Sequence, residues 1–301
     1  MRVLITGATG LVGQELVKQL HEQGVEVNYL TTSRSKIETQ PNYKGFYWDP
    51  SSSEMDEKSL EGVKTIINLA GASVAERWTT SHKKAILNSR IDSLNTLKSA
   101  LQSQAHEVVH LISASAIGIY KDSLTRFHEE DDFEEGDNFL ADVVKQWEAA
   151  ANQFESLGLE VSLIRIGVVL SSEGGALEKI KQPIQKYVGA PLGDGKQWQS
   201  WIHISDLARL FIYLKDNRIE GVFNGVAPNP VTNEVMTEVI AKQLEKPLFL
   251  PKVPAFVLKL ILGEMSTIVL GSQLVSSKKT LSTGFKFRYG QLKPALADLL
   301  K

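Results

Sequence analysis

The chain has 301 residues, of which 43% are hydrophobic and 23% charged, and it carries a formal net charge of −2. That balance suits a soluble globular protein with an ample core and offers nucleic acid or an anionic membrane no charge to bind. The absence of cysteine excludes disulfides, thiol nucleophiles and cysteine metal sites together. Histidines 21, 82, 106, 110, 128 and 203 lack ligand spacing, and no GxSxG hydrolase elbow occurs, so neither a metal nor that hydrolase chemistry is expected. Met1 leads straight into an apolar run, and Ala255–Leu262 is too short to span a bilayer; a cytoplasmic protein without a signal peptide is expected.

Val3-Leu4-Ile5 reads as a buried strand, and Leu11, Leu16, Val17 and Leu20 mark the apolar side of a following helix. Between them stand Gly7, Gly10 and Gly13, the strand–glycine turn–helix order that a dinucleotide fingerprint needs. Gly7 permits the tight turn, Gly10 admits a pyrophosphate to the backbone, and Gly13 lets the helix pack closely. The loop and helix start, with Thr9, Leu11 and Val12 beside these glycines, are the candidate pyrophosphate contacts.

Further strands are predicted over Val25–Leu30, Gly45–Trp48, Val63–Leu69, Val108–Ile112 and Val161–Ile166, with helices over Ser81–Gln104 and Asn138–Leu157. Strands alternating with helices give an α/β fold, a Rossmann doubly wound parallel sheet whose ligands bind beyond the strands' carboxyl ends. From about residue 170 the rhythm breaks. Residues 1–170 are read as the nucleotide-binding domain and 171–301 as a smaller C-terminal substrate lobe. Glycine and proline punctuate Ser171–Gly195, helices are expected near Ile204–Leu214 and Asn233–Leu244, and elements of the two regions may be shared.

A NAD site usually places an acid at the end of the second strand to hold the ribose hydroxyls. Here that place reads Thr31-Thr32-Ser33-Arg34. The Arg34 fork suits a 2′-phosphate and favours NADP(H); the alternative is a solvated loop arginine.

The GxxGxxG spacing resembles the extended, epimerase-like branch of the short-chain dehydrogenase/reductase superfamily. Asn68-Leu69-Ala70-Gly71 is similar to the segment that lines the adenosine side of the cofactor there. Asp49 stands where extended members place an adenine-contacting acid, unless it only forms the turn before Pro50. Arg90 reaches a cofactor phosphate or makes a helix salt bridge.

The resemblance also implies a Ser/Thr, a Tyr acid/base and a Lys four residues beyond the Tyr, which binds the nicotinamide ribose and lowers the phenol's pKa. Lys145 falls at the lysine position, but Ala141 stands where the tyrosine belongs. Ser113–Tyr120 is similar to the family's SSxxxYG segment, yet Ala116 occupies the usual hydroxyl position and Ser115 lies one residue off. Tyr120 is a substitute acid or a packing residue, and Ser115 orients substrate or caps the strand end. Arg165, His203 and Trp201 match substrate-side positions; for Arg165 the other reading is burial beside a carboxylate such as Asp206. The acidic run Glu129–Asp132 with Glu134 and Glu135 reads as a solvated loop.

The segments Asn68–Trp78, Asn88–Asp92, Gly189–Trp198, Ser200–Asp206, Leu262–Met265 and Gly284–Arg288 together resemble the epimerase-family proteins with a small C-terminal conserved domain, here about 250–298. In that family the catalytic tyrosine is commonly replaced. The resemblance implies an NADP-dependent oxidoreductase or epimerase for an unidentified small polar substrate, sugar-like ones among the candidates. The alternative is a non-catalytic NADP(H) sensor. It further implies a homodimer through the helices predicted over Ser81–Gln104 and Asn138–Leu157, unless their apolar faces cover the sheet.

Overall fold

Strands that are apolar on both faces cannot lie at a wetted surface, and Val3, Leu4, Ile5, Ile66 and Ile67 are each 0% exposed. The computed structural model describes residues 2–301. It places these runs at the centre of a parallel sheet built from β1 (Arg2–Thr6), β2 (Glu26–Thr31), β3 (Tyr43–Asp49), β4 (Val63–Asn68), β5 (His110–Ala116), β6 (Glu160–Ile166) and β7 (Gly221–Gly225). The order is β7-β6-β5-β4-β1-β2-β3, with the short strands Thr39–Gln40 and Glu54–Met55 running antiparallel on β3. Chain order reverses between β1 and β4, and the crevice above such a switch point receives ligand in open α/β sheets.

Two helix pairs flank the sheet: α1 (Leu11–Glu22) packs on α5 (Ile204–Asn217), and α2 (Thr80–Ser103) packs on α3 (Phe139–Asn152). The apolar residues of the second pair, Ile86, Leu94, Leu97, Val143, Val144 and Trp147, are buried within this one chain. Because α5 and β7 come from beyond residue 170, the two sequence regions interleave in one sheet-centred core. A second core gathers Leu170, Leu177, Ile184, Trp201, Met236, Ile240 and Leu296 around α4 (Ala176–Gln185) and α6 (Asn233–Gln243). Among the described residues no helix is long and apolar enough to cross a membrane.

Several boundaries differ from the sequence reading for visible reasons. The strand expected over Val108–Ile112 runs on to Ala116, because β6 keeps pairing with it as far as Ala116 opposite Ile166. The helix expected over Asn138–Leu157 stops at Asn152 and continues as a 3-10 turn, closed by Gly158 at φ 76°. The glycines and Pro183 around Ser171–Gly195 masked α4, which carries that proline within it.

Burial also sets a pH response. His110 is 1% exposed, its Nε2 meets Ser162 Oγ at 2.7 Å, and burial pushes its pKa from 6.5 down to about 4. The unfolded chain therefore binds this proton first. Stability is expected to be level above pH 6.5 and to fall by about 2–3 kcal/mol as pH drops toward 4. Denaturant melts of wild type and His110→Gln across that range would check it. The variant should lose most of the slope, and an unchanged slope would exclude His110 as its source.

Candidate functional site

The glycine turn is built as the fingerprint demands. Gly7 holds φ 73° and Gly10 N–H donates to Gly7 O at 3.0 Å, closing the turn. A Cβ on Gly13 would lie 2.2 Å from Gly7 O, so this glycine admits the loop's own backbone. No side chain caps α1, whose N-cap is Gly10, so the first-turn amides from Leu11 onward face outward. With the helix dipole behind them they form an anion site.

Sequence reasoning missed the hydroxyl that ties this loop to its neighbour. Thr6 Oγ1 donates to Asn68 Oδ1 at 2.7 Å and accepts the N–H groups of Leu69 and Ala70, each at 3.1 Å. Asn68 Nδ2 in turn donates to Ser113 Oγ at 3.1 Å, so three adjacent strand ends are cross-linked beneath the crevice. The signal was a threonine closing an apolar strand immediately before its glycine.

A cleft of about 570 Å³ opens beside the loop, walled by Gly7, Thr9, Leu30–Thr32, Trp48–Ser51 and Ala70–Ala72. Its fourth wall is one face of α2, with Ala85, Asn88, Ser89 and Asp92 at helical spacing. Asp49 forms the turn before Pro50 at the cleft's edge. It lines the cleft, and its Oδ1 accepts from Ser51 N–H and Oγ–H, which lowers its carboxyl pKa. Arg34 lies just outside, 70% exposed, its guanidinium 3.7 Å above the Tyr47 ring and 3.9 Å from Glu54. Arg34 opens the short 3-10 turn Arg34–Lys36, three residues beyond the end of β2. The uncapped amides, the glycine loop and this cleft fit a dinucleotide.

Arg90 makes no helix salt bridge among the described residues and lies behind the Gly71 wall of the cleft. Its Nη1 donates to the carbonyls of Ala72 and Ile86, and its guanidinium packs under Gly71 and over Trp147. Burial lowers its pKa to about 10, so it stays charged at neutral pH and braces the Leu69–Ala72 wall.

The corner where the sequence looked for acid/base groups is closed. Ala141 is 0% exposed and lies under Gly136, where an added Cβ would stand 3.0 Å from Ala141 Cβ. The loop is zipped down by Gly136 N–H to Ile119 O at 2.7 Å and Lys121 N–H to Glu134 O at 2.9 Å. Lys145 points into this corner and gives its charge to Glu135 at 2.9 Å and to Gly136 O at 3.3 Å. Restoring the family tyrosine with Ala141→Tyr is therefore expected to overpack the corner, destabilise by about 1–3 kcal/mol and create no new activity. A denaturant melt beside a reductase assay checks both; unchanged stability would show the corner to be open.

Tyr120, Ser115 and Arg165 also require correction, because they form a sealed network. Tyr120 is 0% exposed, its hydroxyl donates to Asn224 Oδ1 at 2.6 Å and accepts from Arg165 Nη1 at 3.1 Å. Burial pushes the phenol up to about 12 despite Arg165, and with its hydroxyl bound to Asn224 and Arg165 it does not reach the cleft. Ser115 Oγ donates to Glu148 Oε1 at 2.5 Å and is 2% exposed, so it orients a carboxylate within the protein. Arg165 pairs in two-pronged fashion with Glu148, through Nε and Nη2 each at 2.9 Å, and not with Asp206. Burial works against its charge, but Glu148 and Tyr120 outweigh that and raise its pKa. Asp206 instead accepts from Arg209 and from the backbone N–H groups of Arg288 and Tyr289. Within the acidic run Glu130 is buried, not solvated: its Oε1 accepts from Asn224 N–H at 2.7 Å.

Trp201 is 0% exposed in the second core, with its Nε1–H on Asn229 O, so it meets no substrate. His203 lines a different cavity, together with residues of α1 and of the C-terminal helix Leu292–Leu299. Trp78 stands edge-on to Phe139 at 5.1 Å with Lys83 above both rings, on the loop that follows Gly71.

Comparison with known proteins agrees with this geometry. The profile of the NAD dependent epimerase/dehydratase family matches residues 3–225, and a domain of unknown function, DUF1731, matches residues 253–299. An epimerase family protein of Staphylococcus epidermidis is 39% identical over 100% of this chain and 99% of its own length. One from Staphylococcus aureus is 38% identical over 99% of this chain and 98% of its own. Among solved structures, a human epimerase family protein with NADPH superposes with a TM-score of 0.84 at 28% identity, covering 99% of both chains. A nucleoside-diphosphate sugar epimerase from Corynebacterium glutamicum gives 0.80 at 33% identity, covering 100% of this chain and 58% of that one.

Proposed function

The chain belongs to the NAD dependent epimerase/dehydratase family, and on that footing we propose that it is an NADP(H)-dependent oxidoreductase or epimerase for a small polar substrate, sugar-like ones included. One observation carries the cofactor choice: the end of β2 offers no carboxylate, and Arg34 stands there stacked on Tyr47 with its guanidinium edge exposed. The stacked fork can take a phosphate in two-pronged fashion without losing its seat. The human relative crystallised with NADPH supports the same choice.

When bound, the nicotinamide supplies or accepts a hydride. The first-turn amides of α1 would hold the pyrophosphate, the Leu69–Ala72 wall would lie against the adenosine, and Lys145 would exchange its Glu135 partner for the nicotinamide ribose. With Ala141 lacking a hydroxyl and Tyr120 sealed, the proton comes from water or from the substrate's own groups.

Titration of the purified protein with NADPH and NADH, followed by nicotinamide fluorescence, tests this directly. NADPH is expected to bind preferentially. Arg34→Ala should weaken it about 10–100-fold and leave NADH within about twofold. Equal affinity for both cofactors in wild type would overturn the assignment. Lys145→Ala should weaken cofactor binding or turnover; if it alters neither, the role given to this lysine fails.

A second reading, a non-catalytic NADP(H) sensor, draws on the sealing of Ser115 and Tyr120. A broad carbonyl screen at saturating NADPH separates the two, since sustained turnover excludes the pure sensor.

A further inference from the structure

A helix on the surface of a globular protein turns its apolar stripe inward, and α7 (Ala255–Leu262) does the reverse. Phe256, Leu260 and Ile261 are 72%, 85% and 71% exposed, while Leu258 on the opposite side is buried. Val257 completes the outward face, and no polar side chain interrupts these four positions. Phe249 and Leu250, just ahead of the helix, are exposed as well. The exposed Tyr187 and Val188 come to the same region. Lys246 Nζ donates to the Tyr187 hydroxyl at 2.8 Å, and Val188 shares a small cleft with Val253. Apolar surface gathered in this way marks a place of docking. None of these residues lines the nucleotide cleft.

The overall charge of −2 gives an anionic surface no hold, but it is spread unevenly along the chain. Residues 242–262 carry four lysines and a single carboxylate, Glu245. Glu234 takes up Lys252 at 2.8 Å, and Lys246 reaches only the Tyr187 ring and hydroxyl. Lys242 and Lys259, both exposed, make no ion pair among the described residues, and neither does the exposed Lys186 beside Tyr187. The apolar face is therefore flanked by ammonium groups whose charge the protein itself leaves unneutralised.

We propose that this face rests on an anionic lipid surface. The helix α7 lies in the membrane plane, its apolar side chains enter the acyl boundary, and the lysines meet the headgroups. A second copy of the chain fits less well. In a twofold contact a patch meets itself, which would set lysines against lysines. A specific protein partner needs about one hydrogen bond per 100–200 Å² of interface, and the outward face of α7 offers no side-chain donor or acceptor. A bilayer asks only for apolar area and charge.

Co-sedimentation of the full chain with vesicles of phosphatidylcholine containing about one-third phosphatidylglycerol tests the assignment. The protein is expected to bind them, to bind pure phosphatidylcholine vesicles about tenfold more weakly or worse, and to be released as salt is raised. Phe256→Ser combined with Leu260→Ser should weaken the partition about 100-fold, and Lys242→Gln and Lys259→Gln about fivefold each. All four positions are exposed and outside the nucleotide cleft, so the melting temperature and the NADPH titration should stay unchanged. Binding to neither vesicle would leave the face to water. Equal binding to both would remove the anionic headgroup from the account. Vesicle binding untouched by the double substitution would place the contact elsewhere. A dimer in light scattering that the double substitution dissolves would give the face to a second copy. Each of these four results overturns the proposal.

Discussion

Glu148→Ala is expected to destabilise the fold by about 3–5 kcal/mol, a large share of the roughly 5–15 kcal/mol that holds a typical domain together. The Arg165 side chain is 6% exposed and that of Glu148 11%, so water cannot replace the lost carboxylate. The guanidinium would keep Nη1 on the Tyr120 hydroxyl and on Glu130 O, but the donors at Nε and Nη2 would lose their acceptors. Ser115 would lose its acceptor as well. Glu148→Gln keeps an oxygen in place and should destabilise less. Replacing both partners, as Glu148→Leu with Arg165→Met, should also destabilise less than Glu148→Ala, because no buried charge is left alone. Chemical denaturation gives all three values. Nucleotide affinity of the folded Glu148→Ala protein should stay within about twofold of wild type. A loss below about 1 kcal/mol would show that the pair is not sealed from water, and a collapse of nucleotide affinity at full stability would move it into the ligand site.

That network marks where sequence reading reached its limit. The glycine turn was legible because its geometry is local: Gly7, Gly10 and Gly13 lie within one strand–turn–helix unit. The catalytic half depends on side chains that meet only through the tertiary fold. Ser115 and Tyr120 lie at one strand end, Glu148 on α3, Arg165 on β6 and Asn224 on β7, more than 100 residues from Tyr120. No periodicity announces such a meeting, so residues at the right strand ends read as a reaction site when they were partners of one another. The direction of Arg90, inward under Gly71, was unreadable for a related reason, because it depends on the packing of Trp147. The missing tyrosine, by contrast, was readable from Ala141 alone, and the structure adds that Gly136 covers the place.

Gly13→Ala is expected to weaken NADPH binding by about 100-fold or more and to destabilise by about 1–3 kcal/mol, the usual range for forcing an atom into packed space. The added Cβ would sit 2.2 Å from Gly7 O, 2.7 Å from Ala8 Cα and 2.7 Å from Ala8 O. All three are backbone atoms, so no side chain can rotate away, and relief requires the loop to leave α1. That movement breaks the alignment of the glycine turn with the uncapped amides, and it pulls on the Leu69 backbone lying against Gly7. Gly10→Ala provides the contrast. Its Cβ would meet only Gly7 O, at 3.2 Å, which a small shift relieves, so stability should change little. A methyl group there still intrudes where a pyrophosphate would approach the backbone, and NADPH affinity should fall. Paired melts and NADPH titrations on the two variants therefore separate a loop that must be glycine to fold from one that must be glycine to bind. If Gly10→Ala bound NADPH as wild type does, the pyrophosphate would have to lie elsewhere, and the assignment of the glycine turn as the phosphate cradle would fall with it.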